Sequence, residues 1–269
     1  MPQGISDSGV IVGCEEPGSG TRQVGFVGKE GKFIVLSDPA AGTEGTTCPF
    51  SVNAARAIVG YYATNTDHGF VYRNGRFTSI NVPGASDAQG EGTFAVDINA
   101  SGVIVGRYLT GSDSTEHGFV LKDGKFTTIN YPPPAHAQHP DTVLTGISDN
   151  GTIVGIYTDE ESRTISFAYR AGKFTVLAVP HARTTQAACI SARSGLVVGD
   201  YSIKAFGNPT GFSERAGAYR SLADPAATSG TTTTCGNDSG LVVGYYLTKH
   251  NVSHGFLFTP AKSSRRPEG

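Results

Sequence analysis

The chain has 269 residues, enough for one large all-β domain or two smaller ones and for a substantial core. Charged residues are 16% of the chain and glycine numbers 36, a composition of short strands and tight turns rather than helices or disorder. The formal net charge of −2 comes without a basic stripe, which argues against nucleic acid, and no apolar run nears the roughly 18 residues of a membrane helix.

Met1-Pro2-Gln3 runs directly into patterned sequence with no leader visible, so the reading frame starts inside a repeat, as a fragment or a processed chain would. From there an apolar pair followed by glycine recurs at Ile11–Gly13, Ile58–Gly60, Ile104–Gly106, Ile153–Gly155, Val197–Gly199 and Val242–Gly244. The glycines are 47, 46, 49, 44 and 45 residues apart, and so regular a period marks a repeat array. A second marker follows each time: Gly25-Phe26, Gly69-Phe70, Gly118-Phe119, Ser166-Phe167, Gly211-Phe212 and Gly255-Phe256. An aromatic after a glycine turn comes next (Phe33, Phe77, Phe126, Phe174, Tyr219), and a proline closes the unit (Pro39, Pro83, Pro132, Pro180, Pro225).

Each unit divides into four strand-length pieces, in the third copy Thr93–Ile98, Val103–Tyr108, His117–Leu121 and Lys125–Asn130. Asn99–Gly102 and Lys122–Gly124 make short links, and Asp123-Gly124 and Asn74-Gly75 are hairpin signals. Two hairpins per unit predict a four-stranded antiparallel meander. Such a sheet buries both faces when copies are arranged radially, which predicts an all-β, six-bladed β-propeller over residues 1–260, with 261–269 as a tail. The sequence units fall near 4–50, 51–96, 97–145, 146–190, 191–235 and 236–260. A linear solenoid and a five-bladed ring are the alternatives. The count reaches 22 strands, with Gln3-Gly4-Ile5 a stub of a missing inner strand and no fourth strand after Pro260, so incomplete blades are expected to meet at the closure.

The third unit, with Ile98-Asn99, Gly102, Ile104–Gly106, Tyr108, His117–Val120, Gly124, Phe126-Thr127 and Ile129, resembles the HAF repeat of bacterial extracellular proteins. The resemblance spans nearly the whole chain and is weakest in the fifth unit, at Ser191-Ala192-Arg193 and Tyr219. It implies a secreted or periplasmic propeller and assigns no activity to any residue.

Cys14, Cys48, Cys189 and Cys235 form no C-x-x-C pair and are too sparse for a disulfide scaffold, so most are read as buried, unpaired thiols. Cys189 and Cys235 fall on equivalent inner strands, which need not bring them into bonding range. His68, His117 and His254 recur at one repeat position and read as structural, each bonding a strand end to a neighbouring loop. Asp7, Asp149 and Asp238 read as turn formers, with Ca²⁺ binding the alternative.

The second-to-third and fourth-to-first links are long and share one face, which is therefore the candidate functional face. The segment Tyr131–Asp141 places His136, His139 and Asp141 just before an inner strand, and the next such link carries His181 and Arg183. Imidazoles with a carboxylate are ligands for a divalent metal, Zn²⁺ or Ca²⁺, which would polarise an ester and activate water. No nucleophile elbow, Walker loop, dinucleotide fingerprint or H-E-x-x-H motif occurs. Two functions follow. The first is a monomeric scaffold, with no nucleic-acid or membrane partner, that binds a small molecule, peptide or glycan through Tyr131, Asp141 and Arg183. The second is a metal-assisted hydrolase of esters or phosphoesters using His136, His139 and His181 for catalysis, with His136, His139 and Asp141 on the metal. A fragment without its own function is a third possibility.

Overall fold

The computed structural model describes residues 1–16, 22–43, 45–111, 115–132, 141–158, 164–204, 207–249 and 252–260. Six antiparallel sheets follow one another along the chain. Blade 1 is β1 (Pro2–Ile5), β2 (Ile11–Glu15), β3 (Val24–Lys29) and β4 (Lys32–Leu36), and blade 2 is β5 (Thr46–Val52), β6 (Ile58–Ala63), β7 (Asp67–Arg73) and β8 (Arg76–Ile80). Blade 3 is β9 (Thr93–Ile98), β10 (Ile104–Leu109), β11 (Glu116–Lys122) and β12 (Lys125–Ile129), and blade 4 is β13 (Asp141–Ile147), β14 (Ile153–Thr158), β15 (Thr164–Arg170) and β16 (Lys173–Leu177). Blade 5 is β17 (Thr184–Ile190), β18 (Val197–Ser202), β19 (Thr210–Arg215) and β20 (Ala218–Leu222). Blade 6 holds β21 (Thr231–Gly236), β22 (Val242–Leu247) and β23 (Ser253–Phe258), three strands among the described residues. The ring closes because β1 packs on β21 and β22, so the array is a six-bladed propeller and not a solenoid. Pro2–Ile5, expected as a stub, pairs with β2 as a short inner strand of four residues, where the other inner strands have six or seven.

The repeat markers have direct physical causes. A Cβ on the marker glycine would strike the facing inner-strand carbonyl, that of Phe94 for Gly106 and of Gln186 for Gly199. At Gly106 it would also lie 2.8 Å from the Phe119 ring, which covers the glycine from the third strand. Phe70, Phe119, Phe167 and Phe212 are fully buried there. Each meets the fourth-strand aromatic of its own blade (Phe77, Phe126, Phe174, Tyr219) with centroids 5.2 to 5.8 Å apart. Where the marker changes to Ser166, the hydroxyl accepts from Ala187 N and donates to Thr185 O, both at 2.7 Å, and so bonds blade 4 to blade 5. His68 and His117 bond Asn81 and Asn130, at the exit of their own blade's fourth strand, and stack on Tyr62 and Tyr108. The structural role expected of them is thus observed, and the loop they hold belongs to the same blade.

The short inner turns interlock. In every blade the Ser or Asn just after the inner strand (Ser6, Asn53, Asn99, Ser148, Ser191, Asn237) accepts from the backbone N–H of the residue just before the second strand. The asparagines also donate to the next blade: Asn53 to Asn99 O at 2.9 Å, Asn99 to Ser148 O at 3.3 Å and Asn237 to Ser6 O at 3.1 Å. Asp7, Asp149 and Asp238 do more than form their own turns, because each carboxylate accepts from backbone N–H groups of the preceding blade's turn.

Five of the six blade junctions carry a buried hydrophobic cluster. At the junction of blade 6 with blade 1 the described contacts are polar: Asn237 to Ser6, Asp238 to Asp7, Thr234 to Pro2 O, and Arg193 bridging Asp7 and Asp238 at 2.9 Å each. Burial opposes ionisation of Asp238, but bonds from the Ser194 and Arg193 backbone and the Arg193 guanidinium hold its carboxyl well below the ordinary range. The cysteine expectation is corrected here. Cys14 of β2 bonds Cys48 of the inner strand β5, and Cys189 bonds Cys235 between the inner strands β17 and β21, with Cα separations of 5.1 and 5.0 Å, because radial packing sets the strands of adjacent blades side by side. The bonds tie blade 1 to blade 2 and blade 5 to blade 6, on either side of the polar junction.

Candidate functional site

The axial channel is built from one backbone irregularity repeated six times. Every inner strand carries a β-bulge against its second strand, and the extra residues are Gln3, Phe50, Val96, Thr145, Ala188 and Thr234. A bulge re-aims a side chain out of the ladder, and all six residues line one cavity of about 370 Å³ on the axis. The next residue along each strand forms a second ring: Gly4, Ser51, Asp97, Gly146, Cys189 and Cys235. A third ring is the residue after each marker glycine, of which Arg107, Ile156, Asp200 and Tyr245 line the cavity. Since Asp200 pairs with Gln186 and Arg107 with Phe94, this ring lies toward the start of the inner strands, on the side of the long links. Toward the short turns Ser51, Asp97, Cys189 and Cys235 also line a cavity of about 50 Å³.

The two acids of the channel differ in their surroundings. Asp97 is buried, and burial pushes its carboxyl up to about 6 against the hydrogen bonds that favour the anion. Those bonds come from Ser51 of blade 2, from Ile98 N at 2.8 Å, and from Ile147 N of blade 4 at 2.7 Å, so Asp97 joins three blades at the axis. Asp200 is also held at about 6, by burial alone, and its carboxyl has no hydrogen-bond or ion-pair partner among the described residues. The nearby cation is committed elsewhere: Arg107 pairs with Glu116 at 3.1 Å and lies 4.6 Å over the Phe94 ring.

The walls differ as well. Blades 2 to 4 contribute the apolar Phe50, Val96, Val143 and Ile156, and the polar side chains among them are already engaged, Ser51 with Asp97, Thr145 with Ala187 O and Arg107 with Glu116. Blades 5, 6 and 1 contribute Gln186, Asp200, Thr232, Tyr245 and Gln3, none of whose side chains has a polar partner among the described residues. A concave site with convergent polar groups facing an apolar wall is the usual form of a small-ligand pocket, and its size is at the low end of that class. A larger groove of about 670 Å³ lies between blades 5 and 6 beside Phe258, Leu222 and Arg220, at the outer edge of the three strands described for blade 6.

The residues singled out from sequence lie elsewhere. His136 and His139 are outside the described residues. Asp141 accepts from Glu116 N at 2.9 Å, so it borders the cavity only through Glu116 and Arg107. The Tyr131 ring packs on Tyr157, Phe167 and Phe174 at 5.1 to 5.3 Å, away from the cavity. His181 is exposed with φ of 63°, and Arg183 is exposed with its backbone N–H on Ser202 O at 2.8 Å. Among the described residues no three His, Cys, Asp or Glu side chains converge as a metal site. Sequence reasoning missed Asp97, Gln186 and Asp200. The available signal was the variable position after an otherwise constant glycine, read as Cys14, Tyr61, Arg107, Ile156, Asp200 and Tyr245.

No family model and no curated protein matches the chain. Solved propellers do. A variant of the Aleuria aurantia lectin in complex with Fucα1-6GlcNAc aligns with TM-score 0.55 at 10% identity, covering 96% of this chain and 91% of that one. TolB from Acinetobacter baumannii aligns at 0.59 and 9% identity over 93% of this chain and 63% of that one, so this chain spans less than two thirds of TolB. The β-propeller domain of the Trilobed protease from Pyrococcus furiosus, described as having an open velcro topology, aligns at 0.51 and 11% identity, covering 96% and 78%. At these identities the likeness establishes the fold alone. No helix of the described residues is long and apolar enough to cross a membrane.

Proposed function

We propose that this protein is a ligand-binding propeller that takes a small molecule, or the end of a peptide or glycan, into the axial cavity from the long-link side. The observation that carries this reading is the divided wall: Asp200 and Gln186, without polar partners, face Val96, Val143 and Ile156 across about 370 Å³. Asp200 is half-buried, and drawing a carboxyl even partly out of water without a partner costs stability, so a fold retains such a group most readily where a ligand uses it. Two disulfides and the HAF-repeat resemblance support an extracellular or periplasmic setting. The hydrolase reading depends on His136 and His139, and no observation among the described residues favours it.

The test is a thermal-shift screen of amines, sugars including Fucα1-6GlcNAc, and short peptides against the natural chain and Ala188→Trp. Ala188 sits on a bulge and its side chain points into the cavity, so an indole there fills it. Ligands that raise Tm for the natural chain should lose that effect in the variant. Ligands that stabilise both proteins equally would place binding elsewhere and overturn the proposal.

A further inference from the structure

We propose that the ligand of this cavity is a small organic cation with an apolar flank, its ammonium on Asp200 and its flank against Phe50, Val96, Val143 and Ile156. This rests on the reading of the cavity as the binding site and specifies its chemistry. Three observations support it. The Asp200 carboxyl lines the cavity with no donor or cation among the described residues to compensate it, whereas the more deeply buried Asp97 accepts three hydrogen bonds. The channel's own cation, Arg107, is held by Glu116 and by the Phe94 ring and leaves Asp200 unpaired. Facing the carboxyl is an aliphatic surface ending in Phe50, whose ring lies 5.5 Å from that of Tyr61. A carboxylate facing an apolar wall across a narrow cavity favours a ligand that carries a cation at one end and an apolar group at the other.

Competing chemistries fit less well. A polyol would satisfy Gln186, Thr232 and Tyr245 but gains nothing from Val96, Val143 and Ile156. Zn²⁺ takes about four ligands and Ca²⁺ six or more oxygens, whereas Asp97 is already bonded by three donors and no three His, Cys, Asp or Glu side chains converge among the described residues. Gln186 is opposite Asp200 in the strand register, so its amide oxygen can accept a second ammonium proton.

The experiment compares two probes of equal shape, benzylamine and benzyl alcohol, titrated by ligand-observed NMR into the natural chain, Asp200→Asn and Ala188→Trp at pH 7.5 and pH 5.0. The amine should bind the natural chain at least tenfold more tightly than the alcohol at pH 7.5. Asp200→Asn should remove that preference and leave the alcohol within about twofold. Lowering the pH to 5.0 should weaken the amine severalfold, because the Asp200 carboxyl takes up its proton, and should leave the alcohol unchanged. Ala188→Trp should abolish both. Equal affinity for the two probes, or an amine preference that survives Asp200→Asn, overturns the cation assignment while the cavity reading stands. Binding of both probes that survives Ala188→Trp overturns the cavity reading itself. No binding of the amine at millimolar concentration overturns the cation assignment.

Discussion

At the scale of single residues, Asp97 and Asp200 separate structure from function by how completely they are satisfied. Both are held neutral up to about pH 6 by burial. An unfolded aspartate loses its proton near 3.8, so between pH 4 and 6 the folded state carries the extra proton and stability falls as pH rises. Asp200→Asn removes that penalty without breaking a bond. The variant should be more stable than the natural chain at pH 7.5, by on the order of 3 kcal/mol, and equal to it below pH 4. Urea denaturation at the two pH values measures this, and a variant less stable at pH 7.5 would mean that Asp200 has a structural partner. Asp97→Asn should behave oppositely, losing about 1–3 kcal/mol at pH 7.5, because an amide N–H₂ then faces a donor. A smaller residue effect sits in the outer hairpins. Asn74 and Asp123 adopt φ of 52° and 50° before glycine, as does Ala171 at 49°, where a side chain without a local hydrogen bond is strained. Ala171→Asn should stabilise the protein by about 0.5–1 kcal/mol, read as a rise in Tm.

At the scale of the strand and blade, the marker glycine and the bulge are two parts of one device. The glycine lets the second strand lie close against the inner strand, and the third-strand phenylalanine fills the space a side chain would take. The bulge one step along turns a residue from the ladder into the channel. Gly106→Ala would push a methyl into the Phe94 carbonyl and the Phe119 ring. It should cost about 1–3 kcal/mol or more, measured by chemical denaturation, with a changed environment for the Phe119 ring protons. An unshifted Phe119 spectrum would mean that the glycine is not what admits the ring. The same device explains why the sequence units begin at the short turn while each sheet begins one strand earlier. The strongest marker lies on the second strand, and the inner strand that completes its sheet is the most varied because it faces the channel.

At the scale of the whole molecule, the ring has one weak junction. Among the described residues five junctions have apolar cores, and the sixth relies on Asn237, Asp238, Asp7 and Arg193, with Phe26 and Phe256 only half-buried on either side. The disulfides span 34 and 46 residues and hold the blades flanking this junction. Loop-closure entropy gives each a stabilisation of roughly 4 kcal/mol at most. Reduction should therefore lower the urea midpoint and raise amide hydrogen exchange first in β1 and β21 to β23. Exchange rising first in blades 3 and 4 would show that the closure is not the weak point.

The repeat period, the four-strand division, the hairpins at Asn74-Gly75 and Asp123-Gly124 and the blade count were legible in the sequence. Each depends on contacts between residues near in the chain, and six copies average out local noise. The disulfides, the carboxylate caps from blade to blade and the ligand wall were not. Cys14 and Cys48, and Asp149 and Ala100, meet only because the ring sets successive blades side by side, and Asp200 and Val96 line one cavity only because all the blades share an axis. Sequence alone therefore determined the blade and how many times it recurs. Only the tertiary structure decided which six residues face the channel, because a bulge changes a side chain's direction without changing the repeat that carries it.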